Sequence, residues 1–147
     1  MKVEFEIKGK PLGKMRHKNC RIGNFSRSYN PEFNVTYENL VKILYQEAST
    51  HYFTGGIRFE LIVFFDIPKS TSKKKREQML SGEILPLKKP DFDNVEKIIT
   101  DALNKIAYND DCQICSNGGD RFYAEEPRVI VSLEDIKDYR ERIKKNE

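Results

Sequence analysis

Between Val95 and Ile106 the apolar residues Val95, Ile98, Ile99, Ala102, Leu103 and Ile106 fall at i, i+3, i+4, i+7, i+8 and i+11. At about 100° per residue they form one stripe along a helix, and such a stripe must be buried against another element. The spacing predicts a helix from Asp91 to about Ile106. Pro90 biases Lys89 toward extended backbone, which keeps the helix from starting earlier and puts Asp91 at its entry. The same geometry turns Asp93, Lys97, Thr100 and Asn104 to the opposite side, with Asp93 and Lys97 one turn apart. Asp91 and Asp93 then converge at the first turn.

The partners of that helix are visible in two periodicities. Val3, Phe5 and Ile7 alternate with Lys2, Glu4, Glu6 and Lys8, the period of a half-buried strand. Ile57 to Phe65, rich in β-branched and aromatic residues and bounded by glycines and Pro68, predicts a central strand. Arg128 to Leu133 predicts another, followed by a charged terminal helix. Tyr37, Leu40, Val41, Leu44 and Tyr45 give a first amphipathic helix from about Pro31, ending before Gly55 and Gly56. Ser70 or Ser72 is placed to cap a short helix reaching about Leu80. Residues 9–23, with three glycines and a proline, read as one long loop, and Asn117-Gly118-Gly119 reads as a turn or flexible loop that breaks a strand after Gln113. The interleaved elements predict a mixed α+β fold over residues 1–147, a single domain in which amphipathic helices pack on a mixed β-sheet. No run of about 18 apolar residues and no signal-peptide pattern occurs, and the odd cysteine count, Cys20, Cys112 and Cys115, reads as thiols. The expectation is a cytoplasmic protein with no membrane partner.

Charge is lopsided although the formal net value is only +3. Lys2, Lys8, Lys10, Lys14, Arg16, Lys18, Arg21 and Arg27 face only Glu4 and Glu6, whereas the chain from Asp110 onward is net acidic. A second basic run, Lys73, Lys74, Lys75 and Arg76, and a third pair, Lys88 and Lys89, precede the acids. These are docking points for a polyanion, or simply solvated surface. The acids invite two readings as well. Asp93-Asn94-Val95-Glu96 has the form of a capping box, and Lys97 is spaced for ordinary ion pairs with Asp93 and Asp101. Asp110 and Asp111, however, are adjacent like charges that gain nothing for folding and call for neutralisation. A hard divalent cation such as Mg²⁺ takes oxygen ligands of this kind and assists phosphodiester hydrolysis as a Lewis acid, while Lys97 adds positive charge at the phosphate.

Lys89-Pro-Asp-Phe-Asp-Asn94, Lys97, Asp101-Ala-Leu103 and Asp110-Asp-Cys-Gln113, in this order, resemble the RusA family of Holliday-junction resolvases. Gly9 to Arg16, Ile67-Pro-Lys-Ser70 and Glu125-Glu-Pro-Arg128 extend the resemblance to most of the chain. It implies a RusA-like fold and a homodimer, without a small-molecule cofactor, that nicks two strands of a four-way DNA junction symmetrically. It further implies that Asp91, Asp93 and Asp111 bind Mg²⁺, with Mn²⁺ as the other candidate, that Lys97 is catalytic, and that Lys14, Arg16 and Arg121 contact DNA. Lys105 stands where the family often has the helix-ending glycine, which shifts the expected left-handed residue to Asn104. Two competing functions are a non-catalytic DNA-binding module whose acids are structural caps, and a glycosyltransferase using Asp-x-Asp; the short chain with basic loops fits the second poorly. His17, Cys20, Cys112 and Cys115 have the ligand count of a zinc site.

Overall fold

The computed structural model describes residues 1–16, 18–29 and 31–147, with hairpin side chains given at Arg21, Asn24 and Ser26 only. Four strands form the main sheet in the order β1 (Lys2–Lys8), β6 (Arg128–Asp135), β4 (Ile57–Asp66), β5 (Ile114–Ala124). β6 pairs antiparallel with both β1 and β4, and β4 pairs parallel with β5, so the sheet is mixed. A parallel pair needs a long crossover, and the chain spends residues 67–113 on it. That crossover holds α2 (Lys73–Leu80), α3 (Phe92–Leu103) and a 3₁₀ turn (Asp111–Gln113).

Strand alternation decides which face is covered. Val3, Phe5 and Ile7 meet Phe59, Leu61, Val63, Phe65, Val129, Val131 and Leu133 on one face, all buried. α1 (Glu32–Ala48) and α3 pack against each other over this core. Val95, Ile98, Ile99, Ala102 and Leu103 are completely buried, as the stripe requires. Each large side chain removed from water in this way stabilises the fold by about 1.5–3 kcal/mol. α4 (Ile136–Lys145) packs on β4 and β6, and α2 lies along β5.

Several expectations change. Residues 9–16 are a loop, but Lys18–Ile22 and Phe25–Tyr29 pair as strands β2 and β3 around Gly23, at φ +60°. Of the α1 stripe, Tyr37, Val41 and Tyr45 are buried while Leu40 stays exposed. α3 stops at Leu103, and the left-handed residue is Lys105 (φ 66°), not Asn104. Asn104 instead accepts the Asp111 N–H on its side-chain oxygen at 2.9 Å. Thr100 is buried rather than outward, its hydroxyl on the Lys97 carbonyl.

No turn interrupts β5. A Cβ on Gly119 would lie 1.8 Å from the Leu61 carbonyl oxygen, and one on Gly118 would lie 2.6 Å from the Arg58 guanidinium. The glycines let β5 approach β4 closely and the strand runs on through them.

Candidate active site

The first turn of α3 is tied to the loop after β1. Asn34 of α1 clamps that loop, accepting from the Met15 N–H at 3.0 Å and donating to the Met15 carbonyl at 2.8 Å. The Lys14 N–H donates to the Asn94 carbonyl at 3.1 Å. Gly13 lets the chains approach closely here: a Cβ would stand 2.9 Å from Pro90 Cβ and 2.5 Å from the Asn94 side-chain nitrogen, which would have to shift. The result is a cleft of about 910 Å³ lined by Gly13 to Arg16, Phe33 and Lys89 to Asp91, together with Asp93, Asn94 and Lys97. A second cleft of about 350 Å³ continues past Asp93 and Lys97 to Glu96, Thr100, Asp111 and residues 114–117. Asp93 and Lys97 therefore stand on both.

The acids at the helix start are not used as caps. Asp91 is the N-cap residue, yet its side chain makes no capping hydrogen bond, and Asp93 lies inside the first turn, so the expected capping box is absent. Among the described residues neither carboxylate has a hydrogen-bond or ion-pair partner. The helix dipole favours their charge at this end.

Asp110 and Asp111 divide the roles that the sequence left joined. Asp110 opens the 3₁₀ turn: its carbonyl accepts from the Gln113 N–H at 3.0 Å, and the Gln113 side chain accepts in return from the Asp110 N–H at 3.2 Å. The Asp110 backbone thus closes the turn through both its N–H and its carbonyl. Gln113 also donates to the carbonyls of Phe53 and Gly55, both at 3.0 Å, and so pins this turn to the segment before β4. Hydrogen bonds from the Cys112 and Asp111 side chains hold the Asp110 carboxyl below its ordinary range. Asp111 moves the other way: partial burial and the Asp110 side chain raise its pKa, with Lys97 opposing. Its carboxylate oxygen is 3.9 Å from the Lys97 ammonium.

Lys97 pairs with Asp101 at 2.9 Å and leaves Asp93 free. Asp101 also meets Lys14 at 3.0 Å, and Lys14 meets Glu38 of α1 at 2.5 Å. Burial lowers the Lys14 pKa, but these two carboxylates outweigh it and the net shift is upward. Lys14, expected to contact DNA, is thus occupied inside the fold, its side chain only 15% exposed. Arg121 is similarly engaged. Its guanidinium donates to the carbonyls of Lys88 and Pro90, the latter at 3.0 Å, and lies 4.9 Å over the Phe65 ring. It supports the segment leading to Asp91.

The remaining basic positions face outward. Arg16 and Lys89 line the larger cleft and are exposed. Lys88 lies over the Phe65 and Tyr123 rings at 5.5 and 5.6 Å. Lys73, Lys74 and Lys75 are exposed on α2, where Ser72 caps the helix, and Arg76 pairs with Glu125. Of the zinc candidates, His17 and the Cys20 side chain lie outside the described residues, while Cys112 and Cys115 are free and exposed. Among the described residues no three His, Cys, Asp or Glu side chains are grouped to hold a metal ion as they stand, and no helix is long and apolar enough to cross a membrane.

Sequence reasoning missed Asn34, Asn104 and the bracing role of Gln113. Each is a polar side chain adjoining a loop, and only the fold reveals which loop it holds.

An acidic cleft with a basic rim, carried on a mixed α/β domain, has the makings of an enzyme acting on a polyanion. The chain matches the family described as "Endodeoxyribonuclease RusA" over residues 8–134. It is also 31% identical over 140 residues to a protein of Bacillus subtilis (strain 168) described as "Uncharacterized protein YqaN", covering 91% of this chain and 96% of that one. The chain belongs to the RusA endodeoxyribonuclease family, and with it to the DNA endonucleases.

Proposed function

We propose that this chain resolves four-way DNA junctions by paired, symmetric nicks, with a divalent cation held by Asp91, Asp93 and Asp111. The observation that carries the reading is the freedom of Asp91 and Asp93: two carboxylates at a helix start, unused as caps, without an ion-pair partner among the described residues and open to one cleft. All three acids offer hard oxygen donors, which suits Mg²⁺, or Mn²⁺ in its place. Because they are not grouped at ligand distance, loading requires side-chain rotation, and the exposed cleft leaves room for it. Bound there, the cation supplies Lewis-acid polarisation of the scissile phosphate. Lys97 adds charge complementarity as the phosphate becomes more negative. Arg16 and Lys89 meet the flanking phosphates at the rim, and Lys73 to Lys75 extend the basic surface along α2. Lys14 and Arg121 serve the frame instead.

A four-way junction presents two equivalent strands, so a two-fold dimer can cut both within one bound lifetime. The reading is tested by offering the protein a labelled four-way junction, the matching duplex and a single strand, with and without Mg²⁺, alongside a cruciform plasmid. Paired nicks in the junction alone, dependent on Mg²⁺, and direct conversion of the plasmid to linear product are expected. Equal cutting of duplex, or accumulation of nicked circles, contradicts the proposal.

A further inference from the structure

We infer that Asp101 is a positioning residue of this site: it holds the Lys97 ammonium toward Asp111 and is itself fixed by Lys14. The inference rests on the role given to Lys97 above. Lys97 is 57% exposed, and a lysine stem with that freedom does not keep one geometry unaided. Its tether is Asp101, one helical turn on, at 2.9 Å.

An exposed pair at i and i+4 would be a weak restraint. This pair is different because the Asp101 carboxylate is 80% covered and has its other oxygen 3.0 Å from Lys14. Lys14 is anchored in turn by Glu38, whose side chain is 13% exposed. The charges alternate from Glu38 through Lys14, Asp101 and Lys97 to Asp111, and join α1, the 9–16 loop, α3 and the 3₁₀ turn. With one oxygen held from behind, Asp101 cannot rotate away from Lys97 without giving up Lys14. Asp101 itself lines neither cleft, so its effect on a bound phosphate passes through Lys97. The chain of charges also connects Lys97 to the loop that carries Arg16 at the rim.

The alternative is that Asp101 only glues the loop to α3. A double-mutant cycle between Asp101→Asn and Lys97→Ala separates the two, read by single-turnover junction cleavage at saturating enzyme. Asp101→Asn alone is expected to slow cleavage by about ten- to a hundredfold with junction affinity within about twofold, and to cost nothing further when Lys97 is already Ala. The same factor lost in both backgrounds overturns the inference.

A second readout needs no activity: ¹⁵N relaxation of the Lys97 side-chain nitrogen. It should report an ordered ammonium in the wild type and a mobile one in Asp101→Asn. An ammonium equally ordered in both overturns the inference even if the cycle behaves. If Asp101→Asn does not fold, Lys14→Gln keeps the Asp101 and Lys97 pair but frees the carboxylate. Loss of Lys97 order in that variant supports the inference, and unchanged order overturns it. A wild-type protein inert on all DNA with Mg²⁺ would sink the nuclease reading, while the relaxation measurement would still decide the tether.

Discussion

On the proposed reading, the surroundings of Lys97 set it apart from the other lysines near the cleft. It reaches both clefts, lies 3.9 Å from Asp111 and is held by Asp101, whereas Lys14, equally suggestive in the sequence, is spent between two carboxylates. A cation that acts as negative charge develops should affect rate more than affinity. Lys97→Ala is therefore expected to slow single-turnover junction cleavage by about a hundredfold or more while junction binding changes little. Lys97→Arg should restore only part of the rate, because a planar guanidinium cannot occupy the same position against Asp101 and Asp111. Equal losses in rate and affinity would make Lys97 a docking residue. The placing of Asp93 and Lys97 on one side of α3 was legible before the fold was known, since residues four apart share a helix face, while Asp91 joins them at the cleft because it stands in extended backbone at the N-cap (φ −71°, ψ 163°). The division between Asp110 and Asp111 was not legible. It depends on Gln113 reaching back three residues to the Asp110 N–H and across to Phe53 and Gly55, 60 and 58 residues away in the chain.

At the scale of elements, the site depends on how closely β5 lies against β4. The parallel pairing sets Ile114, and with it the preceding 3₁₀ turn that carries Asp111, against the start of β4. Glycine makes this possible at Gly119, which has φ +147° and no space for a Cβ beneath the Leu61 carbonyl. Gly119→Ala should destabilise the protein by about 2 kcal/mol or more in urea unfolding, combining backbone strain with a clash that β4 cannot relieve. Gly55→Ala, with open space around its Cβ, should stay within about 0.5 kcal/mol and serves as the control. Comparable stability for the two variants would show that the β4 and β5 contact is slack. Here sequence reasoning went the wrong way, because paired glycines in a polar stretch signal a turn unless a neighbouring backbone is known to need the space. It succeeded for β1, β4 and α3, whose burial patterns follow periods of 2 and 3.6 set by their own side chains. The β2 and β3 hairpin escaped notice because its residues lack such alternation.

Across the whole molecule, the crossover between two parallel strands delivers both parts of the acidic site. Asp91 and Asp93 enter on α3 as it returns over the sheet, and Asp111 follows on the turn that starts β5. The loop after β1, clamped by Asn34 and Asn94, closes the other side and sets Arg16 at the rim. On the proposed reading the acids that hold the cation lie on the crossover, while Arg16 of the rim lies on the loop after β1, so chemistry and binding should separate experimentally. Asp93, standing on both clefts, is the position at which to test this. The measurement is Mg²⁺-dependent nicking of a four-way junction by Asp93→Asn, set beside its junction affinity in metal-free buffer and its circular dichroism. The account predicts no detectable nicking, affinity at the wild-type level and a native spectrum; full nicking with an intact fold, or loss of binding together with nicking, would contradict it.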